Sequence, residues 1–154
     1  MTYSKSSRKP KIRTLTKAKK ECWIEFSKYK RMEDGLRTTG SVDWALCITC
    51  GKRYHFKLLQ AGHFVSGRHN GNLFSERGTH AQCYNCNINL KGNTLEYRRQ
   101  IIKLYGEGAD IELEQEAGRE VHYKVYELDA LKEHYKQKQK ELLEKNKVSV
   151  SITH

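Results

Sequence analysis

Apolar residues recur at helical spacing in the first part of the chain. The stripe begins after Thr14, and Lys and Arg occupy the other faces. Its apolar members are Leu15, Ala18, Cys22, Phe26 and Tyr29. Positions that repeat every three to four residues share one face of an α-helix. The pattern predicts a basic helix over residues 14–37 that ends near Gly35. It favours Cys22 as a small buried residue over a metal ligand or redox group.

The middle of the chain changes to a weak alternation. Tyr54, Phe56 and Leu58 fall on one side of a segment that runs to Val65. Alternation of this kind is typical of a strand, which we expect to end at His63. The predicted elements that follow are a loop over residues 66–77, a short strand over 78–82 and a helix from Cys83.

Helical spacing returns in the last part of the chain. Gly92 interrupts it, a helix over residues 95–105 is predicted to stop at Gly106, and the acidic residues 107–117 are predicted to be helical. A longer helix is expected over residues 125–145. Its partial apolar stripe consists of Leu128, Leu131, Tyr135 and Leu142. The remainder is mostly charged, so we expect this helix to extend from the core or to pair with another helix.

These elements indicate an α+β fold. The 154 residues are enough for one domain with extensions and a modest core. The predicted layout is a disordered basic arm (1–13), a basic helix (14–37), a core (45–106), a C-terminal helical extension (107–147) and a tail (148–154).

The positive charge is unevenly distributed. The formal net charge is +11, and residues 1–37 hold 12 Lys/Arg against four Asp/Glu, which is +8 of the total. A basic segment of this kind most simply binds a phosphate backbone. The alternative is a solvated tail that aids solubility. We therefore expect DNA or another nucleic acid as the partner.

The chain shows no membrane or export signal. No apolar run approaches the roughly 18 residues of a membrane span, and no apolar core follows the N-terminal charges. We therefore expect a cytoplasmic protein with no membrane partner, in a compartment that keeps thiols reduced. There, paired Cys-x-x-Cys motifs indicate metal ligands rather than disulfides.

Two Cys-x-x-Cys pairs, Cys47/Cys50 and Cys83/Cys86, are the most specific motif. Zinc binds four such thiolates in a tetrahedron, and reduced thiols in a core are the less favoured interpretation. The 32 residues between the pairs exceed the roughly 15–20 of a simple four-cysteine finger. The insert can hold a hairpin, so a structural zinc would link a hairpin to a helix.

Several short motifs in this region resemble those of a known family. They are Cys47-Ile-Thr-Cys50-Gly51, Ala61-Gly62-His63-Phe64, Glu76-Arg77, His80, Gln82-Cys83, Cys86-Asn87, Gly92-Asn93, Tyr97-Arg98 and Gly106. In this order and spacing they resemble the HNH, or His-Me finger, endonucleases, and more closely the phage NinG/Rap recombination endonucleases, over residues 15–145. The resemblance implies a ββα-metal core and metal-dependent cleavage of branched DNA, such as Holliday junctions and D-loops, in the cytoplasm of a host cell.

The resemblance also implies the catalytic residues. His63 matches the general base, and a neutral imidazole can take a proton from water. Asn87 matches the third position of the HNH motif, and its amide oxygen suits Mg²⁺ or Mn²⁺. The helix expected to start there would also favour a phosphate. His80 is either a further ligand of the catalytic metal or a structural residue.

Two positions depart from the HNH pattern. Gly78 occupies the place of the middle asparagine, which holds the hairpin loop, and Asn70 or Asn72 is a candidate replacement. Gly62 occupies the position before the base, where many HNH enzymes carry a second metal ligand, although NinG-like proteins also have glycine there. These departures imply fewer protein ligands for the metal or reduced activity.

The candidate DNA contacts are basic residues around this core. Arg77 and Arg98 are favoured because they match family motifs. The full set is Arg77, Arg98, Lys57, Arg68, Lys17 and Lys20. Phosphate contacts of this kind recognise DNA shape rather than base sequence. Paired nicks at a junction suggest a homodimer, with the charged C-terminal helix as a candidate interface.

Three other functions are compatible with the sequence. The first is an HNH nicking enzyme of the homing or restriction type that acts on ordinary duplex. The second is a zinc-dependent DNA-binding module without catalysis, which Gly78 favours. The third is an RNA-binding partner protein.

Overall fold

The computed structural model describes residues 12–67 and 69–152. The helices are α1 (Leu15–Thr39), α2 (Thr94–Tyr105), α3 (Ala109–Ala117) and α4 (Val125–Ile152), and the strands are β1 (Trp44–Leu46), β2 (Arg53–His55), β3 (Leu59–His63) and β4 (Thr79–Cys83). β1 pairs with β2 and β3 pairs with β4, both antiparallel. These helices and small antiparallel sheets confirm the predicted α+β class.

The first helix begins where the sequence predicts and ends later. The Thr14 hydroxyl accepts a hydrogen bond from the Lys17 N–H at 3.2 Å, which caps the N-terminus. The helix continues past Gly35, and Gly40 ends it in the left-handed conformation with φ 76°. The expected end at Gly35 is wrong because this glycine serves packing: a Cβ there would lie 2.5 Å from the Ser41 carbonyl oxygen. Gly35 lets the chain that follows α1 fold back against the helix.

The C-terminal helix packs against the N-terminal one. Phe26 and Tyr29 of α1 meet Tyr135 of α4, with ring centroids 4.9 and 5.4 Å apart. Leu128 and Leu142 extend the buried stripe along α4. Of the two alternatives expected for this helix, extension from the core or pairing with another helix, the structure shows pairing, and the partner is α1 of the same chain. The apolar stripe of α4 is therefore used within the chain.

The segment expected to form one strand is divided in two. A 3₁₀ turn over Phe56–Leu58 separates β2 from β3. The Arg31 guanidinium donates hydrogen bonds to the carbonyl oxygens of Phe56 and Leu59, at 3.1 and 3.4 Å, which holds the turn against α1. The expectation of a single strand that ends at His63 is wrong because of this tertiary contact, which alternation along the chain does not reveal, although β3 does end at His63.

The two ends of the chain are described only in part. Of the predicted arm, residues 1–11 lie outside the described residues. At the other end α4 runs to Ile152, through most of the segment expected to be a tail. Among the residues that the structure describes, no helix has the length and apolar character needed to cross a membrane.

Candidate active site

Four cysteine sulfurs come together at one point. Cys47 and Cys50 lie in the turn between β1 and β2, Cys83 ends β4, and Cys86 lies in a π-helical turn over Asn85–Asn89. Their four Sγ atoms lie within 4.8 Å of one another, and Cys50 Sγ is 3.8 Å from Cys83 Sγ. A zinc ion with four bonds of about 2.3 Å needs sulfurs about 3.8 Å apart. The cluster could therefore hold a metal such as zinc.

Backbone N–H groups donate hydrogen bonds to two of these sulfurs. The N–H of Cys83 donates to Cys47 Sγ at 3.3 Å, and that of Cys86 donates to Cys83 Sγ at 3.5 Å. Burial raises the pKa of the Cys47 thiol, but the surrounding donors outweigh burial and lower this pKa to about 7. Desolvation and the neighbouring Cys47 raise the pKa of Cys50 to about 12. Four adjacent thiolates would repel one another, so all four sulfurs can be ionised together only with a cation among them. Cys22 is separate and fully buried between α1 and α4, as predicted.

Replacing Cys83 with serine is expected to release the metal of this cluster. The affinity for zinc should fall by more than the 10- to 100-fold that is typical when only a residue supporting a ligand is changed. The zinc content of the purified chain, measured by mass spectrometry of the metal, should fall from about one ion to near zero, and the melting temperature should fall with it. Cys22→Ala is the control and should keep its zinc. Full zinc content in Cys83→Ser would exclude the proposed ligand set.

The β3–β4 hairpin and the π-helical turn bring His63 and Asn87 to one cavity. His63 is the last residue of β3 and lies opposite Thr79 of β4. Asn87 lies at the centre of the π-helical turn. Both residues line a cavity of about 250 Å³, together with the exposed Lys91. The two residues that the sequence pairs by motif are therefore neighbours in the fold.

The His63 ring is held on two sides. Its Nε2 lies 3.1 Å from the Leu73 carbonyl oxygen. A carbonyl oxygen only accepts hydrogen bonds, so Nε2 carries a proton. The Trp23 ring of α1 stacks on the imidazole, with centroids 5.1 Å apart and planes at 20°. The orientation of the His63 ring is therefore fixed by two other elements of the fold.

The turn that carries Asn87 differs from the expected helix. It is a single π-helical turn of five residues, in which the Leu90 N–H donates to the Asn85 carbonyl oxygen at 2.8 Å. A turn this short lacks the dipole of a full helix, so the expected attraction of phosphate to a helix start is not supported. Asn87 Nδ2 donates to Gln60 Oε1 at 2.7 Å, which leaves Oδ1 facing Gly62.

Both departures from the HNH pattern have a structural reason. A Cβ at Gly62 would lie 2.1 Å from Gln82 Oε1, so a side chain at this position would have to displace the Gln82 amide. The loop with Gly78 in place of the asparagine is held by Asn72, one of the two candidates for this role. Asn72 is 4% exposed, and its Nδ2 donates to the Val65 carbonyl oxygen at 3.0 Å.

His80 has a structural role instead of binding the catalytic metal. It lies on β4 opposite Gly62 and is 1% exposed. Its Nδ1 donates to the Asp34 carboxylate at 3.0 Å, and its Nε2 lies 3.1 Å from the Arg77 carbonyl oxygen and 2.8 Å from the Tyr105 hydroxyl. Both ring nitrogens are engaged within the chain, which favours the structural alternative for His80 over the role of a metal ligand.

Asp34 connects α1 to β4 through this histidine. Its carboxylate also accepts hydrogen bonds from the Ala81 N–H at 2.6 Å and from Arg37 at 3.0 Å. Burial raises the pKa of Asp34, but His80, Lys30 and Arg37 outweigh burial and lower this pKa to about 2. Asp34 is therefore an ionised, buried anchor for the strand that leads into the cysteine cluster.

Two of the predicted DNA contacts are engaged within the chain. Arg98 bonds to Asp110 at 2.5 Å and to Glu114 at 2.6 Å. Arg77 bonds to Glu112 at 3.0 Å. Their charges are already paired with carboxylates of α3, so the structure gives both arginines a role in packing.

Two lysines of α1 lie beside the residues that hold His63. Of the remaining candidates, Lys17, Lys20 and Lys57 are exposed and Arg68 lies outside the described residues. Lys19 and Lys20 line a groove of about 530 Å³ together with Trp23 and Leu73, the two residues that hold His63. Sequence reasoning does not single out Lys19, because lysines on a basic helix look alike until their packing is known.

One protein family matches this chain over most of its length. No curated protein and no solved structure matches it. The model of the family described as Bacteriophage Lambda NinG protein matches residues 2–146. That range includes the four cysteines and every residue that lines the cavity. The chain therefore belongs to the bacteriophage lambda NinG family.

Proposed function

We propose that this chain is a metal-dependent endonuclease that cleaves branched DNA, such as Holliday junctions and D-loops, during phage recombination. In this proposal His63 is the general base, Asn87 binds a catalytic Mg²⁺ or Mn²⁺, and the four cysteines hold a structural zinc. The observation that carries the proposal is the meeting of His63 and Asn87 at one cavity.

The cysteine cluster supports the geometry of this cavity. Cys83 ends β4, and Cys86 directly precedes Asn87. A zinc ion bound to both sulfurs would fix β4 relative to the π-helical turn. His63 is fixed in turn because β3 pairs with β4. Zinc would therefore set the position of the base relative to the amide without taking part in the reaction.

The residues of the cavity suit phosphodiester hydrolysis. The reaction needs a water molecule that loses a proton and a phosphate that gains negative charge. A divalent cation would supply Lewis acidity at the phosphate. His63 takes the proton on Nδ1 while the Leu73 carbonyl oxygen holds Nε2. Asn87 offers a neutral amide oxygen, and Lys91 adds positive charge at the same cavity.

The basic face of α1 is the proposed path of the DNA. Lys19 and Lys20 border the groove beside Trp23. Contacts to phosphates follow the shape of the nucleic acid, which suits a branched substrate. Resolution of a junction needs two nicks, so we propose that two copies act together. The apolar stripe of α4 is buried against α1, and we therefore assign no interface to it.

A nicking assay on a panel of substrates tests the proposal. The zinc-loaded protein is incubated with Mg²⁺ or Mn²⁺ and a labelled four-way junction, a D-loop, a linear duplex of the same sequence, single-stranded DNA or RNA. The expected result is nicking of the junction and the D-loop at a higher rate than the duplex. Binding without nicking of any substrate would contradict the nuclease assignment.

The same panel separates the alternative functions. Equal nicking of junction and duplex would indicate an HNH enzyme of the homing or restriction type. Binding of DNA without cleavage would indicate a zinc-dependent binding module. Tighter binding to RNA than to branched DNA would indicate an RNA-binding partner protein. Gly78 is the feature of the sequence that favours a binding module without catalysis. Its weight is reduced because Asn72 holds the loop between β3 and β4.

Replacing Lys20 with glutamine is expected to weaken binding to a four-way junction in a salt-dependent way. The loss of one phosphate contact should reduce the slope of log affinity against log salt concentration by about 1. Fluorescence anisotropy at several salt concentrations measures this slope. Arg98→Gln is the matched control: it removes the same charge from partly exposed ion pairs with Asp110 and Glu114, so it should leave the slope unchanged. The opposite pattern would place the DNA at Arg98.

A further inference from the structure

We propose that the side-chain oxygen of Gln82 is a second protein ligand of the catalytic divalent cation, beside the oxygen of Asn87. The inference rests on the proposed function, because it concerns the same metal. It assigns a ligand that the HNH pattern places elsewhere, at the position that Gly62 occupies here.

The orientation of the Gln82 amide is fixed by its surroundings. Gln82 is 0% exposed. Its Nε2 donates to the Gly92 carbonyl oxygen at 2.8 Å and to the Thr49 hydroxyl at 3.1 Å. A carbonyl oxygen cannot donate, so the amide nitrogen must face Gly92 and the amide oxygen must face the other way.

That oxygen has no partner within the described part of the chain. Gln82 Oε1 is buried and makes no hydrogen bond to any described residue. A buried acceptor without a partner is costly, and native structures rarely keep one without a ligand, a water molecule or an ion nearby. The orphaned oxygen therefore calls for an electropositive group.

The position of the Gln82 oxygen points to a divalent cation as this electropositive group. Gln82 Oε1 and Asn87 Oδ1 lie 2.1 and 3.1 Å from the point where a Cβ of Gly62 would stand. Two amide oxygens therefore meet at the glycine that precedes His63. Mg²⁺ and Mn²⁺ prefer hard oxygen ligands of this kind. A side chain at position 62 would displace Gln82 Oε1. Glycine at this position therefore leaves room for the Gln82 oxygen, which would replace the metal ligand that many HNH enzymes carry there.

If Gln82 had a purely structural role, its side-chain oxygen would accept a hydrogen bond from another group. If the amides of Asn87 and Gln60 were both reversed, Asn87 Nδ2 would face Gln82 Oε1 and satisfy it. A buried water molecule would do the same. In either case Gln82 would hold the hairpin to the π-helical turn and would not affect the affinity for a divalent cation.

The test measures binding of Mn²⁺ to the zinc-loaded protein without DNA, by the electron paramagnetic resonance signal of free Mn²⁺. Gln82→Met, which removes the oxygen, should weaken Mn²⁺ binding about 10-fold or more. Gln82→Glu, which keeps an oxygen and adds charge, should tighten binding by a similar factor. Gln115→Glu adds the same charge at an exposed position of α3 and should bind as the wild type does. Zinc content is measured in each variant, because Gln82 precedes Cys83.

The outcomes separate this inference from the proposed function. Unchanged Mn²⁺ affinity in Gln82→Glu, or in a zinc-loaded Gln82→Met, would overturn the inference and leave the nuclease standing if the wild type still nicks junctions. If Gln82→Met loses its zinc, the Mn²⁺ affinity of Gln82→Glu alone decides whether the inference holds. A wild type that binds no Mn²⁺ would also overturn the inference, whereas a wild type that binds Mn²⁺ and nicks no DNA would overturn the proposed function.

Discussion

Replacing His63 with alanine lowers the rate of single-turnover nicking of a four-way junction by about 10²–10⁴-fold, the usual contribution of a general base. The Leu73 carbonyl oxygen and the stacked Trp23 ring hold the imidazole at the cavity that Asn87 also lines. Alanine has no group that accepts the proton of the attacking water. The rate is measured with saturating protein and Mn²⁺, so that it reports on chemistry rather than on binding.

Two controls make this result specific. Junction affinity, measured by anisotropy, should change little in His63→Ala, because the charges on α1 remain. His122→Ala removes an 83% exposed histidine that pairs with the exposed Glu120 and should nick at the wild-type rate. Loss of nicking together with loss of zinc or of junction binding would mean that the substitution acts on the fold, and retention of nicking would remove His63 from the mechanism.

Replacing Asp34 with alanine is expected to destabilise the protein by about 3–5 kcal/mol, the usual cost of removing one partner of a buried charged pair. The substitution leaves His80 Nδ1–H and the Ala81 N–H without their acceptor, at a site where Asp34 and His80 are each 1% exposed. It also removes the link between α1 and β4. Urea unfolding in the presence of zinc measures the free energy of unfolding.

Asp43→Ala is the matched control for this change. Asp43 is exposed, and removal of its carboxylate should alter the free energy of unfolding by no more than about 0.5 kcal/mol. Asp34→Asn should fall between the two, because an amide oxygen can still accept one of the hydrogen bonds. Equal stability of Asp34→Ala and Asp43→Ala would mean that the His80–Asp34 contact is not an anchor of the fold.

Local patterns predict much of this fold because they depend on neighbours along the chain. The stripe from Ala18 to Tyr29 predicts α1, and the spacing of Leu128 and Tyr135 predicts a helix that pairs with another. Gly35 misleads for a physical reason: a glycine that ends a helix and a glycine that admits a neighbouring carbonyl oxygen look the same in sequence. The division of the expected strand has a similar origin, because it depends on a tertiary contact.

The candidate site, like the fold, is predictable where short local motifs define it. The Cys-x-x-Cys spacing identifies the four sulfurs, and the motif identifies His63 and Asn87. The sequence leaves His80 open between a metal ligand and a structural residue, and it gives no signal for Gln82. In the structure both nitrogens of His80 are engaged, whereas the oxygen of Gln82 has no partner among the described residues. Hydrogen-bond satisfaction depends on all elements around a group, and a linear motif does not encode it.

The most direct test of the central claim is the metal dependence of junction cleavage. Protein that carries its zinc and is otherwise freed of divalent ions is mixed with a labelled four-way junction, and Mn²⁺ or Mg²⁺ is then added over a range of concentrations. The account predicts no nicking before the addition and nicking that rises to saturation after it. A junction that is bound by the protein and stays intact at every concentration of both ions would contradict the account.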